Sequence, residues 1–242
     1  MKAVVVLSGG QDSALCLALA VRKYGASEVA AITFAYGQRH SVETKFARRL
    51  ARHFGVAAHK VVKLGFYRDI TTNALLDPTM KIRESPSPKS KSKNGSCNSN
   101  LRLSTSTPPP PNTVVEGRNA FFLMAAAVWA KSLGATDVYT GVSQADYSGY
   151  PDCRAVFIRA QQKAIRLALD FPIRIVTPFM SKTKADEWAL AARLGVFDLI
   201  ANETVTCYNG IPGKGCGKCP ACKLRNRGLK EFLQAGKSNV GI

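Results

Sequence analysis

The first thirteen residues constrain the chain most. Lys2–Leu7 holds the unbroken apolar run AVVVL, and it breaks at once into Ser8-Gly9-Gly10-Gln11-Asp12-Ser13. A short run with no polar alternation reads as a strand buried on both faces, the kind found in helix-covered parallel sheets. From Asp12 to about Tyr24, Leu15, Ala18 and Leu19 recur at helical spacing. The order then repeats. A strand is expected at Glu28–Phe34, and an amphipathic helix at Val42–Phe54 with Phe46, Leu50 and Phe54 on its apolar side. A third strand is expected at Ala57–Leu64. Strand and helix in alternation predict an α/β fold with a doubly wound, mostly parallel sheet.

The pattern is lost between about Asp77 and Pro111, where SPSPKSKSKNGSCNSN is followed by STSTPPPP. Such a composition cannot bury a core and predicts a flexible insertion. It serves either as a solvated loop or as a lid or tether for a polyanion. Helices are expected again at about Arg118–Ser132, about Arg154–Leu169 and Lys182–Leu194, the last capped by Ser181 with Lys184 and Asp186 in its first turn. Strands are expected at Thr136–Val142 and Ile173–Val176. Residues 1–200 thus form one α/β domain with an insertion at about 77–111, and 201–235 form a small C-terminal segment.

Ser8–Ser13 lies between a strand and a helix. Glycines allow close backbone approach to an anion, and the helix after them offers unpaired N–H groups and a partial positive charge. No Gly-Lys-Ser/Thr comes next, so this is not a Walker loop. The plain alternative is a tight turn capped by Asp12 or Ser13.

Near the other end, Cys207, Cys216, Cys219 and Cys222 stand at separations of nine, three and three. Four thiols at this spacing fit a closed tetrahedral structural zinc site. An iron–sulfur cluster or a redox Cys-x-x-Cys pair are the other chemistries open to them. Cys16, Cys97 and Cys153 read as plain thiols.

The formal charge is +18. The segment 77–113 holds six basic and two acidic residues, so only +4 of that excess sits there. The rest is spread along the chain without a dense stripe, and four thiolates with one Zn²⁺ would lower the total by two. A nucleic-acid partner and anionic small substrates both fit a basic surface. The longest apolar helix candidate, Asn119–Ala130, is too short for a membrane span. The N-terminus lacks the pattern of a signal peptide, and the expected compartment is cytoplasmic.

Three polar clusters come after predicted strands or open helices: Tyr36–His40, Gly117-Arg118-Asn119 and Asp146–Arg154. Beside a phosphate loop they suggest a ligand pocket.

The SGGQDS loop resembles that of the ATP-pyrophosphatase superfamily, which splits ATP between its α and β phosphates. Over nearly its whole length the chain resembles the 7-cyano-7-deazaguanine synthases. SGGQDS, YGQRH with Glu43 after it, PNT with GRN at 111–119, DYSGYPDCR at 146–154, NET at 202–204 and CYNG…GCGKCPACKLR at 207–225 carry this resemblance. Ala35 and Glu116 depart from the family pattern, which has Asp and Pro there.

The resemblance implies an adenine-nucleotide alpha-hydrolase-like sheet and ATP-dependent conversion of 7-carboxy-7-deazaguanine and ammonia to the nitrile. It implies ATP with Mg²⁺ on Leu7, Ser8, Gly9, Gly10, Gln11, Asp12, Ser13, Ala14, Leu15, Cys16 and Leu17. It also implies one structural zinc on Cys207, Cys216, Cys219 and Cys222, a homodimer, and small-molecule partners rather than nucleic acid. Arg118 or Arg39 would pair with a carboxylate or phosphate, Asp146 or Asp152 would accept from the base, and Tyr147 or Tyr150 would stack on it. A tRNA-thiolating relative on the same fold would instead need a reactive cysteine or an iron–sulfur cluster.

Overall fold

The opening apolar run becomes β1 (Ala3–Val6), the central strand of a five-stranded sheet. The computed structural model describes residues 1–38, 42–77, 79–82, 112–144 and 150–238. Most of the expected insertion at 77–111 lies outside those residues, as do Arg39 and Asp146–Gly149. After β1 come α1 (Gln11–Tyr24), β2 (Val29–Ala35), α2 (Val42–His53) and β3 (Ala58–Lys63). A single turn, α3 (Tyr67–Ile70), precedes α4 (Arg118–Ser132), β4 (Asp137–Tyr139), α5 (Ala155–Leu169) and β5 (Arg174–Val176). The chain continues through α6 (Lys184–Arg193), α7 (Phe197–Asn202) and α8 (Pro220–Ser238).

All pairings are parallel, in the order β3-β2-β1-β4-β5. Val4 stands opposite both Ala30 and Val138. The winding reverses between β1 and β4, so the loops after these strands diverge and leave a crevice at their carboxyl ends.

Alternate strand residues feed two cores. Val4, Ile32 and Val138 meet Leu123 and Ala127 of α4 and Ile165 of α5. Ala3, Val5 and Ala31 meet Leu15 of α1, Leu50 of α2, Trp188 of α6 and Ile200 of α7. Each of the large side chains among them contributes about 1.5–3 kcal/mol by leaving water.

Three expectations change. The helix expected from Lys182 begins at Lys184, and its cap is Thr183 rather than Ser181. Thr183 Oγ1 accepts from Asp186 N at 3.2 Å, while Asp186 Oδ2 accepts from Thr183 N at 2.9 Å. This reciprocal box satisfies two donors at once, which Ser181 has no acidic partner to match. The expected strand Thr136–Val142 shortens to Asp137–Tyr139, because Thr140 to Ser143 turn out to line the crevice.

The third change is α8, which sequence reading did not anticipate. It packs along α6 and places Leu229 and Phe232 against the second core. Trp188 Nε1 donates to Arg225 O at 3.3 Å across this contact. Gly228, inside the helix, permits the approach: a Cβ there would lie 2.3 Å from Lys184 Cβ. Among the described residues no helix is long and apolar enough to cross a membrane.

Candidate active site

The crevice is a cavity of about 680 Å³. Its floor is the phosphate-loop end of β1. Ser8 Oγ and Ser13 Oγ lie 3.1 Å apart, Gly10 N donates to Ser8 Oγ at 3.3 Å, and Ser13 Oγ donates to Gly10 O at 3.0 Å. These short bonds shape the turn before the first turn of α1, and a helix N-terminus is a position that can receive an anion.

The structure adds a packing requirement at the first glycine. Gly9 has φ +89°, and a Cβ on it would meet Glu43 O of α2 at 2.6 Å. Its bareness therefore accommodates the close approach of α2. Gly141, at the end of β4, is equally constrained: a Cβ there would meet Asp12 Cβ at 2.8 Å.

Of the eleven residues expected to hold a nucleotide, Leu7, Ser8, Gly10, Gln11, Asp12 and Ser13 line the cavity. Ala14, Leu15, Cys16 and Leu17 are fully buried and turn into the core. A helix that presents its N-terminus to a ligand buries the residues beyond its first turn. Burial keeps the Cys16 thiol protonated by raising its pKa.

An acid–base cluster beside the loop was not legible in the sequence. Lys184 Nζ lies 2.8 Å from Asp12 Oδ1 and 2.8 Å from Glu187 Oε1, and Gln11 Nε2 donates to Glu187 Oε2 at 3.1 Å. Burial, with Asp12 nearby, raises the Glu187 carboxyl well above its ordinary range. The signal available was the i,i+3 spacing of Lys184 and Glu187, which fits an ordinary surface pair equally well.

At the far end, Arg118 Nη1 donates to Tyr36 Oη at 3.0 Å, and its guanidinium lies over the Tyr36 ring at 5.5 Å. Glu43 lines the same corner, and burial raises its carboxyl to about 7 against the opposing pull of Arg118. Gln38, one of the YGQRH residues, folds back to accept from Tyr36 N at 2.9 Å and donate to Phe34 O at 3.2 Å.

Asp152 is directed at α4. Its Oδ2 accepts from Asn119 N at 2.9 Å, so it caps the helix that carries Arg118. Asn119 Nδ2 also reaches Cys153 Sγ at 3.4 Å, and burial pushes that thiol up to about 12. Tyr150 lines the cavity and joins a hydroxyl chain, 2.7 Å from Thr113 Oγ1 and 3.3 Å from Tyr208 Oη. Arg39, Asp146, Tyr147 and Cys97 lie outside the described residues. Of the two departures from the family pattern, Glu116 is exposed and accepts from Thr71 Oγ1 at 2.6 Å, while Ala35 ends β2 opposite Lys63.

The four C-terminal sulfurs converge. Cys207, Cys216, Cys219 and Cys222 place their Sγ atoms within 4.8 Å of one another, and Cys216 and Cys222 are 3.9 Å apart. Zinc–sulfur bonds of about 2.3 Å put tetrahedral sulfurs about 3.8 Å apart, so the set can hold a metal ion. Main-chain N–H groups of Cys219 and Lys218 point at Cys216 Sγ at 3.3 and 3.4 Å and lower its pKa to about 6. Such donors stabilise thiolate, the form that binds metal.

This turn forms part of the cavity wall. Val205 N donates to Gly9 O at 2.8 Å, Gln11 N donates to Thr206 Oγ1 at 3.3 Å, and Tyr208 lines the cavity.

Fold and site define a class: a doubly wound parallel α/β protein with a glycine turn opening α1 at its switch point and a four-thiol turn closing the crevice. Within it, the chain belongs to the QueC family, whose model, described as queuosine biosynthesis protein QueC, matches residues 2–233. Its role accordingly lies in queuosine biosynthesis. Among solved structures it is similar to an NH3-dependent NAD synthetase from Campylobacter jejuni in complex with a nitrate ion. That alignment has 16% identity and a TM-score of 0.38, and covers 97% of this chain and 86% of the other.

Proposed function

We propose that the chain is a 7-cyano-7-deazaguanine synthase, a C–N ligase that turns 7-carboxy-7-deazaguanine, ammonia and ATP into the nitrile. The observation that carries this reading is one cavity joining the Ser8–Ser13 loop to the Tyr36–Arg118–Tyr150 corner, in a member of the QueC family.

A carboxylate is a poor electrophile. Its oxygen attacks the α-phosphorus of ATP, pyrophosphate leaves, and ammonia then displaces AMP from the acyl carbon with loss of a proton, giving the amide. A second ATP activates the amide oxygen in the same way. Loss of AMP and of the N–H protons leaves the nitrile.

The protein's part is positioning and charge neutralisation. The α1 amides with Ser8 and Ser13 would take phosphate oxygens, and Mg²⁺ arriving with the nucleotide would supply further charge neutralisation there. Arg118 pairs with the substrate carboxylate through its planar fork. Tyr150 and Tyr208 flank the planar base. Asp152 acts through α4, fixing Arg118 rather than touching the base. Cys207, Cys216, Cys219 and Cys222 would hold a structural zinc, and the turn they close would keep Thr206 and Tyr208 in place. We further propose that the active form is a homodimer in the cytoplasm.

Incubating the purified chain with 7-carboxy-7-deazaguanine, ammonium, Mg²⁺ and ATP tests the reading. Mass spectrometry should detect the nitrile, with AMP and pyrophosphate as co-products. ATP turnover to ADP, or no product with this acid, would refute it.

A further inference from the structure

Positive charge is unevenly available around the cavity. Among the described residues, Arg118, Lys184, Lys223 and Arg227 are the cations that line it. Arg118 stands at the Tyr36 end. Lys184 is at the loop end, but Asp12 and Glu187 engage its ammonium, each at 2.8 Å. The α1 N-terminus supplies only about half a positive charge. One of its amides, Gln11 N, already donates to Thr206 Oγ1. Even with Mg²⁺ neutralising part of it, a triphosphate laid along this loop keeps net negative charge that α1 and the already engaged Lys184 do not offset.

α8 brings the balance. Lys223 and Arg227 are four residues apart, so their side chains lie one turn apart on the same side of the helix. Their place relative to the loop is set by packing. The backbone at Gly228 lies against Lys184 at the head of α6, where a Cβ would fall 2.3 Å from Lys184 Cβ. Lys184 in turn touches Asp12 of the loop. Arg227 adjoins that contact. Its ion pair with Glu231, at 3.7 Å between two exposed side chains, is weak and readily exchanged for a phosphate.

We propose that Lys223 and Arg227 bind the β- and γ-phosphates of the nucleotide and thereby hold the pyrophosphate leaving group. This rests on the reading that the loop takes ATP. Lys223 supplies a point charge and Arg227 a two-pronged donor. When the bond between the α-phosphorus and the bridging oxygen breaks, its electron pair stays on pyrophosphate. Cations already placed there stabilise that developing charge. The helix that carries Cys222 thus also carries the leaving-group clamp.

Calorimetric binding of ATP, inorganic pyrophosphate and AMP tests this with Lys223→Gln, Arg227→Gln and the double variant. Glutamine keeps much of each stem, and metal content and circular dichroism check the fold. Lys45→Gln, exposed on α2 and off the cavity, controls for net charge. ATP and pyrophosphate should each weaken roughly tenfold per substitution, with AMP and the Lys45 variant unchanged. Arg227→Lys should recover part of the loss. Normal binding of all three ligands by the variants, or an equal loss for AMP and ATP, overturns the proposal alone. Failure of the unsubstituted chain to bind either ATP or pyrophosphate overturns the proposal and the ATP reading beneath it.

Discussion

Glu43 faces a cavity corner it shares with Arg118, and burial holds its carboxyl near 7. The sign of the consequence is definite. As pH rises from 5 to 7 the unfolded chain has already lost this proton while the folded chain keeps it, so the group costs stability increasingly over that window. Glu43→Gln removes the cost. The melting temperature of the variant should therefore gain on the native chain at pH 8 relative to pH 5, and an equal difference at both would show that Glu43 does not titrate there. Arg118 stands next to it with Tyr36 Oη as its hydrogen-bond partner. Arg118→Ala should lower turnover by about a hundredfold or more while leaving zinc content intact, as expected for loss of a preorganised charge in the crevice. Measured nitrile formation at the native rate would remove Arg118 from the site.

At the level of elements, the joint between α6 and α8 matters most. Gly228→Ala forces a methyl into Lys184, and overpacking of this kind costs about 1–3 kcal/mol. In a chain of this size that is a fall of several degrees in melting temperature, roughly 2–4 °C per kcal/mol. Lys184 must move with it, so ATP affinity should fall too, measured by calorimetry. A second element contact is the anchor of β4. Asp137 is buried, and its carboxylate accepts from Tyr24 Oη and from Arg174 Nε, the latter at 2.9 Å. Burial alone would raise its pKa, but these donors and the Arg174 charge hold it low. Its stabilisation is thus present above the unfolded carboxyl pKa and lost as pH falls through the folded one. Asp137→Asn should destabilise the protein at pH 7 by about 1–3 kcal/mol and by less towards pH 3, monitored by denaturant titration.

For the whole molecule, the four-cysteine turn and the phosphate loop are one construction. Val205 and Thr206 bond to Gly9 and Gln11, and Tyr208 reaches Tyr150. Metal removal should therefore do more than loosen a terminus. A strong chelator is expected to lower the melting temperature by at least about 5 °C and to weaken ATP binding in parallel. Elemental analysis should give about one zinc per colourless chain. Brown, iron-bearing protein would favour cluster chemistry instead, and unchanged ATP affinity after complete demetallation would separate the turn from the loop.

The chain order by itself determined the parallel sheet, the place of the glycine turn at the crevice and the four thiols that converge. Each is local information: an unbroken apolar run, a glycine turn before a helix, and thiols three residues apart. The element boundaries of β1, β2, β3 and α4 fall within a residue or so of those expected, because apolar periodicity and turn residues set them locally. What only the tertiary structure decided lies between distant segments. Lys184 and Glu187 look like a surface pair until α1 brings Asp12 and Gln11 onto them. Gly228 looks like a weak point in a helix until α6 lies against it. Asp152 reads in the sequence as one of several loop acids, and only the fold shows its Oδ2 accepting from the Asn119 amide at the head of α4. Burial and charge balance are properties of packed neighbours, and a linear pattern carries no record of which neighbours packing will choose.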